Sequence, residues 1–330
     1  MNNELRIKIY ARKDSPGVRK FVLVVVAFTL LLFYPFTLAQ AQNLDIGISP
    51  PITELVIKPG ATYQARYLLS NFSDSDQIFI PQLFTMNAKD EFGTAEIADE
   101  PLSVASPYYN WFSINNTPFD RAAIKIRSGL TIEVPVLIAV PQDSQEIDHY
   151  FAIVFESDPT LTLGGTGQVA QGGIATNLLI SVSETGLPEK NALVEEFKVP
   201  KIIDSFFPIN YKVRIKNSGN SYFKPIGEIR TTGYFLNSSL NLAPQNILSG
   251  TIREIKCLAD EELVDCTIDP PFLFGNYNAL LSFTLDEEGR KVTKSENTFA
   301  FPFSATAVAL GIFFLVKKIK KKKKLIGFEP

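Results

Sequence analysis

The sequence predicts an all-β chain, two tandem β-sandwiches set between an N-terminal signal peptide and a C-terminal transmembrane helix. Three observations lead there. Residues 42–298 are filled by short runs rich in β-branched and aromatic residues, separated by Gly, Pro, Asn, Asp and Ser, and no long stretch keeps a helical period. An apolar run over 21–38 follows Arg6, Lys8, Arg12, Lys13, Arg19 and Lys20 and ends in Ala39-Gln40-Ala41. A second apolar run, 299–316, is followed by Lys317, Lys318, Lys320, Lys321, Lys322, Lys323 and Lys324.

Basic residues, an apolar core and small residues at Ala39 and Ala41 form the layout of an export signal, predicted to be cleaved after Ala41. The competing expectation is an uncleaved second span. The run over 299–316 reads as a stop-transfer helix with its lysines on the cytoplasmic side. At about 1.5 Å per residue it would cover roughly 27 Å, against a bilayer core of about 30 Å. The expected location is therefore the cell membrane, single-pass, with residues 42–298 outside, 299–316 spanning and 317–330 as a cytoplasmic tail.

Once the flanks are set aside, the charge reads differently. The whole chain holds 32 basic and 35 acidic residues, but 42–298 holds 19 and 32, a net of about −13. An acidic ectodomain argues against nucleic acid as a partner. Its two cysteines, Cys257 and Cys266, are expected to form one local disulfide in an exported segment. The rival is a thiol or metal pair, for which zinc would need further ligands, and the single histidine, His149, lies far away in sequence.

The first predicted sandwich occupies 42–188. Pro59-Gly60 turns the chain into a strand over 62–71, with Tyr63, Ala65, Tyr67 and Leu69 on one face. Phe72-Ser73-Asp74-Ser75-Asp76 leads to a strand over 77–86, and further strands are read over 124–127, 130–140, 150–156 and 175–182. Residues 161–173, with five glycines and no charge, are expected to be a mobile loop. The second sandwich, 189–298, follows a turn-prone linker. Tyr211, Val213 and Ile215 alternate ahead of Ser218-Gly219-Asn220-Ser221, and strands are read over 226–230, 247–255, 277–285 and 292–299. Both units share an alternating strand ending in Asn (Asn71, Asn217), a serine-rich turn and a new strand, so the sandwiches are expected to be of related design.

Several short segments in this order carry a resemblance: Ile48-Ser49-Pro50-Pro51, Pro59-Gly60, Ser70-Asn71, Val140-Pro141 and Tyr150-Phe151-Ala152-Ile153-Val154-Phe155. The second unit adds Lys216-Asn217-Ser218-Gly219-Asn220, Pro225-Ile226-Gly227, Ile247-Leu248-Ser249-Gly250-Thr251-Ile252-Arg253 and Phe274-Gly275-Asn276-Tyr277. Together they resemble the WxL-interacting cell-surface proteins of Gram-positive bacteria. That resemblance implies two immunoglobulin-like domains, the first associated with peptidoglycan and the second with surface partners. The chain departs from the family pattern at Glu156-Ser157-Asp158, where a Leu-Gly-Gly is expected.

No catalytic constellation is read. His149 supplies a single possible base and is expected in a surface turn. Acid pairs such as Asp99-Glu100 and Glu195-Glu196 are neighbours in turns rather than groups facing across a cleft. Asp74 and Asp76 make one D-x-D, common in turns. Asn71, Asn115 and Asn237 begin glycosylation sequons. For contact, the candidates are Tyr108, Tyr109, Trp111 and Phe112, a stacking face for a glycan or partner; alternatively these rings fill the core. The expected function is non-enzymatic: a membrane-anchored binding or adhesion protein presenting two immunoglobulin-like domains to a cell-surface protein or a wall polymer such as peptidoglycan, without cofactor or metal. The alternative is an extracytoplasmic assembly chaperone of the pilus type, acting by β-strand donation.

Overall fold

The computed structural model describes residues 44–158, 172–286, 289 and 291–325, with side chains as far as 322. The signal peptide with Ala39 and Ala41, and most of the glycine-rich loop, lie outside the described residues. The first sandwich contains β1 (Ile46–Ser49), β2 (Ile52–Ile57), β3 (Thr62–Asn71), β4 (Gln77–Ala88), β5 (Ala95–Ile97), β6 (Phe112–Ile114), β7 (Thr117–Pro118), β8 (Ile124–Ile126), β9 (Thr131–Ala139), β10 (Asp148–Ser157) and β11 (Gly173–Val182). One sheet runs β1-β3-β9-β6-β7; the other runs β2-β11-β10-β4-β5, with β8 also on β4. The apolar faces of both sheets close on one core that includes Tyr67, Phe79, Phe151, Phe155 and Leu178.

The second sandwich contains β12 (Ala192–Lys198), β13 (Ile202–Asp204), β14 (Ile209–Asn210), β15 (Lys212–Asn217), β16 (Ile226–Gly233), β17 (Asn237–Leu242), β18 (Ile252–Glu254), β19 (Cys257–Ala259), β20 (Glu262–Val264), β21 (Thr267–Ile268), β22 (Gly275–Thr284) and β23 (Val292–Phe301). Its sheets run β12-β15-β18 and β13-β23-β22-β16-β17-β19-β20, with β14 paired to β21. A separate core holds Val213, Phe223, Ile229, Tyr277, Leu281 and Phe283. Cys257 and Cys266 are joined by a disulfide that closes the β19–β20 hairpin. The expected continuous strand over 247–255 is broken: Gly250 has φ +74°, and Thr251 N donates back to Leu248 O at 3.2 Å.

In each sandwich the first strand is split between the two sheets. β1 pairs antiparallel with β3, and after a cis Ser49–Pro50 bond β2 pairs parallel with β11. β12 pairs antiparallel with β15, and β13 pairs parallel with β23. The two asparagines of the repeat are also equivalent. Asn71 Nδ2 donates to Ser75 O at 2.8 Å and Ile126 O at 3.1 Å, and its Oδ1 accepts from Ser73 N. Asn217 Nδ2 donates to Ser221 O at 2.9 Å and Ile247 O at 2.8 Å, and its Oδ1 accepts from Gly219 N. Both are fully buried, so the sequon asparagine at 71 has its amide committed inside the fold.

The expected transmembrane helix, and with it the single-pass location in the cell membrane, is overturned. The apolar run is divided, because Phe299–Phe301 complete β23 and Pro302 separates them from α1 (Phe303–Leu325). Only 303–316 are apolar before Lys317, about 21 Å of helix at the standard rise, against about 30 Å of hydrocarbon. Lys317, Lys318, Lys320, Lys321, Lys322, Lys323 and Lys324 thus continue the same helix rather than flank a span. Among the described residues, no helix is long and apolar enough to cross a membrane. The start of α1 is tied to the second sandwich: Ser304 N donates to Asp204 Oδ2 at 2.6 Å, and Ser304 Oγ to Asp204 Oδ1 at 3.1 Å. These bonds hold the Asp204 carboxyl below the usual carboxylate range, the Ser304 N–H first among them.

Candidate functional site

The site is the open edge of the first sandwich, and the splitting of its first strand creates it. β2 covers β11 only from Asn177 to Val182, so residues 173–176 have no strand on that side among the described residues. Along a strand, alternate residues turn their backbone groups toward the same neighbour. Asn177 N donates to Pro51 O at 3.1 Å, away from β10, so Ala175 and Gly173 also turn away from β10 and toward the open edge. Across the gap lies β1, the edge of the other sheet. Ile46 and Ile48 of β1 and Ile174 of β11 are half-buried there and pack on the core. Gly172 ends this lip: a Cβ at that position would meet Leu44 Cδ2 at 2.6 Å.

The outer face of the same sheet is fixed to the second sandwich. Asp148 Oδ1 accepts from Ser181 Oγ at 2.6 Å; Oδ2 accepts from the Tyr150 hydroxyl at 2.6 Å and from Tyr222 N. Ser181 Oγ lies 2.7 Å from Ser221 Oγ, and Ser249 N donates to the Tyr150 oxygen at 2.9 Å. Burial, then the Asp148 charge, pushes the Tyr150 hydroxyl far above its ordinary pKa, so it stays a neutral donor. Glu54 on β2 pairs with Lys224 at 2.8 Å and accepts from Asn246 Nδ2.

A strap over 89–94, between β4 and β5, reaches across to β15 and β18. Asp90 Oδ1 shapes it by accepting from Phe92 N at 2.9 Å and Thr94 N at 3.1 Å. Glu91 takes a two-pronged contact from Arg214, Nε at 2.7 Å and Nη2, and its carbonyl accepts from Glu254 N at 2.7 Å. That pairing holds the Glu91 carboxyl below its usual range. Under the strap is a cavity of about 90 Å³ lined in part by Met86, Asn177, Leu179, Leu248 and Arg253. β11 therefore begins as a free edge and ends in a hydrogen-bonded joint.

The sequence-predicted contact residues lie elsewhere in the first sandwich. Trp111 and Phe112 are buried; Tyr108 is half-buried and meets Trp111 edge-on at 5.3 Å between ring centres. Tyr109 stands at the rim, its hydroxyl donating to Asp120 Oδ1 at 2.6 Å. The segment is a 3-10 turn, Tyr109–Trp111, leading into β6, so these rings do not alternate as on a strand. His149 does not sit in a surface turn. It is inside β10, with Trp111 at 4.9 Å and Tyr108 at 5.1 Å, and desolvation lowers its pKa from the ordinary 6.5. Asp76 is engaged by Ser128 N at 3.2 Å and Lys125 at 3.3 Å. No group of three or more His, Cys, Asp or Glu among the described residues is placed to hold a metal. Sequence reasoning missed the open edge and the joint. The one signal for the edge was the pair of prolines at 50 and 51 between two short β-branched runs.

No protein-family model and no curated protein matches the chain. Among solved structures it is similar to the class 5 fimbriae chaperone CfaA, at 11% identity and TM-score 0.39, over 76% of this chain and 99% of that one. It is also similar to the CsuC-CsuE chaperone–tip adhesin pre-assembly complex of Acinetobacter baumannii, at 10% identity and TM-score 0.36, over 78% and 98%. The E. coli chaperone DraB gives 9% identity and TM-score 0.34, over 76% and 96%. At such scores the likeness carries no functional weight, and the open edge is interpreted through its own geometry.

Proposed function

We propose that this chain is a non-enzymatic protein-binding molecule that holds an extended segment of a protein partner along the free start of β11, in the manner of an assembly chaperone. One observation carries this reading: Gly173 and Ala175 turn their backbone groups to an edge that no described strand covers, beside the half-buried Ile46, Ile48 and Ile174. Backbone pairing supplies affinity for any extended segment, and the isoleucines favour one with apolar residues at alternate positions. The disulfide suits an oxidising compartment, where such a partner would be met.

The test is a photo-reactive residue at position 174 in the native host, read with and without Ala175→Pro. The Ala175 N–H faces the open edge, so proline there removes a donor to the partner and spares the β10 ladder. One crosslinked protein, lost in A175P while the melting transition is kept, is the expected result. A crosslink that survives A175P sinks the reading.

A second reading, drawn from the WxL-interacting resemblance, is recruitment of a surface protein by the second sandwich. An exposed aromatic ledge favours it: Tyr234 and Phe235 at 4.7 Å, Phe235 and Phe272 at 6.0 Å, and Phe206 and Phe272 at 5.6 Å. Under this reading Y234S/F235S abolishes the crosslinked partner and A175P leaves it. A wall polymer has less support, because Trp111 and Phe112 are buried and offer a sugar no platform.

A further inference from the structure

The second sandwich also leaves its last strand uncovered, and over a longer span. β13 covers β23 only at Phe299–Phe301, so residues 292–298 have no strand on their outer side among the described residues. Phe299 N donates to Lys201 O at 2.9 Å, away from β22. By alternation, Asn297, Ser295 and Thr293 also turn their backbone groups outward. Beside this edge runs an open groove of about 850 Å³, lined by Leu193, Val194, Leu285, Val292 and Lys294.

The free segment is charged where the first sandwich's lip is apolar. Lys294 pairs with Leu281 and Glu296 with Ala279. Leu281 and Ala279 are fully buried, so Lys294 and Glu296 stand on the core-facing side at the margin of the sheet. Charges pointing inward at a sheet edge reject unrelated strands. Neither residue takes part in an ion pair among the described residues.

The sequence Val292-Thr293-Lys294-Ser295-Glu296-Asn297-Thr298 is complementary to itself when reversed about Ser295. We propose that two copies of this chain pair antiparallel through β23, on a two-fold axis at Ser295. Ser295 then faces Ser295 of the other copy, and Thr293 faces Asn297, as hydrogen-bonded pairs that each exchange two N–H···O bonds. Lys294 falls opposite Glu296 twice, in the non-hydrogen-bonded positions where Cα atoms approach to about 4.5 Å and side chains are nearest. Val292 faces Thr298, both β-branched. The midpoint of the uncovered span is also Ser295, so each copy fills the other's free edge and stops where β13 begins. The contact is isologous and closes at two copies. It lies on the second sandwich and does not depend on strand capture by β11.

The experiment is sedimentation of the full chain in mild detergent across a wide concentration range. The unaltered chain is expected to dimerise. K294E sets like charges opposite each other at both positions and weakens the dimer about tenfold or more. E296K does the same, and K294E/E296K restores it. S295P removes an outward N–H at the axis and leaves the chain monomeric with its melting transition kept. S295C crosslinks to itself under mild oxidation, because hydrogen-bonded partners lie about 5.5 Å apart at Cα, whereas T293C alone does not. A chain monomeric at every concentration overturns the proposal. So does a dimer indifferent to K294E and S295P, since it forms through another surface. A175P is expected to leave the dimer intact, which keeps failure here distinct from failure of the partner reading.

Discussion

Asn71 and Asn217 perform the same task on two sequences with little else in common. Each carboxamide closes the turn after its strand and satisfies two carbonyls and one N–H. Alanine leaves those groups without their carboxamide partner beside a fully buried position. Each substitution is expected to cost about 2–4 kcal/mol, with Asn→Asp no remedy because a carboxylate cannot donate to the carbonyls. Chemical denaturation of N71A and N217A, compared with S218A, checks this; a loss under 1 kcal/mol would refute it. These residues were legible in the sequence, since a strand ending in Asn before a serine-rich turn is a local pattern. The hub at Asp148 was not. Its partners Ser181, Ser221, Tyr222 and Ser249 come from distant segments, and each is an ordinary polar residue where it stands. His149 misled for a related reason: a polar neighbour on each side suggested solvent, while Tyr108 and Trp111 fold back over its ring.

Among the elements, those with strict alternation and clear turns read well. β3, β9, β10 and β22 lie close to where their patterns place them, and Pro59-Gly60 is a turn with Gly60 at φ +75°. The split first strands did not, because β1 and β13 are only 4 and 3 residues long and each serves a sheet different from the other half of its strand. The strap over 89–94 escaped as well: Asp90, Glu91, Phe92 and Gly93 look like any surface turn until Arg214 is seen to grip them. Its function is to clamp, so Glu91→Ala is expected to free the strap while both cores stay folded. Protease nicking within 89–94 should rise in E91A, and the melting of each sandwich should hardly move. Equal nicking in E91A and the unaltered chain would mean that the joint holds without the strap. The C-terminal run shows the opposite error. Counted as composition, 299–316 comes close to the length of a span; divided by Pro302 between a strand and a helix, it falls well short.

For the molecule as a whole, the two sandwiches share a plan and differ in how far the split strand reaches. The β2–β11 ladder runs over Ile52–Ile57, whereas the β13–β23 ladder ends after Ile202–Asp204. That single difference leaves the first sandwich with a short apolar lip and the second with a long charged one. It also bears on load. Where the first and last strands of a domain run parallel, pulling the chain ends apart drags every bond of that ladder at once instead of opening them one by one. The first sandwich resists with six residue pairs and the second with three, and α1 hangs directly on the weaker ladder. Under tension applied at α1, the second sandwich is expected to give way first, with only the Cys257–Cys266 loop kept closed by its crosslink, while the first stays folded. Single-molecule pulling from residue 44 to α1 reads this as two unequal force peaks, the smaller one earlier, so the fold acts as a fuse with its breaking point placed next to α1.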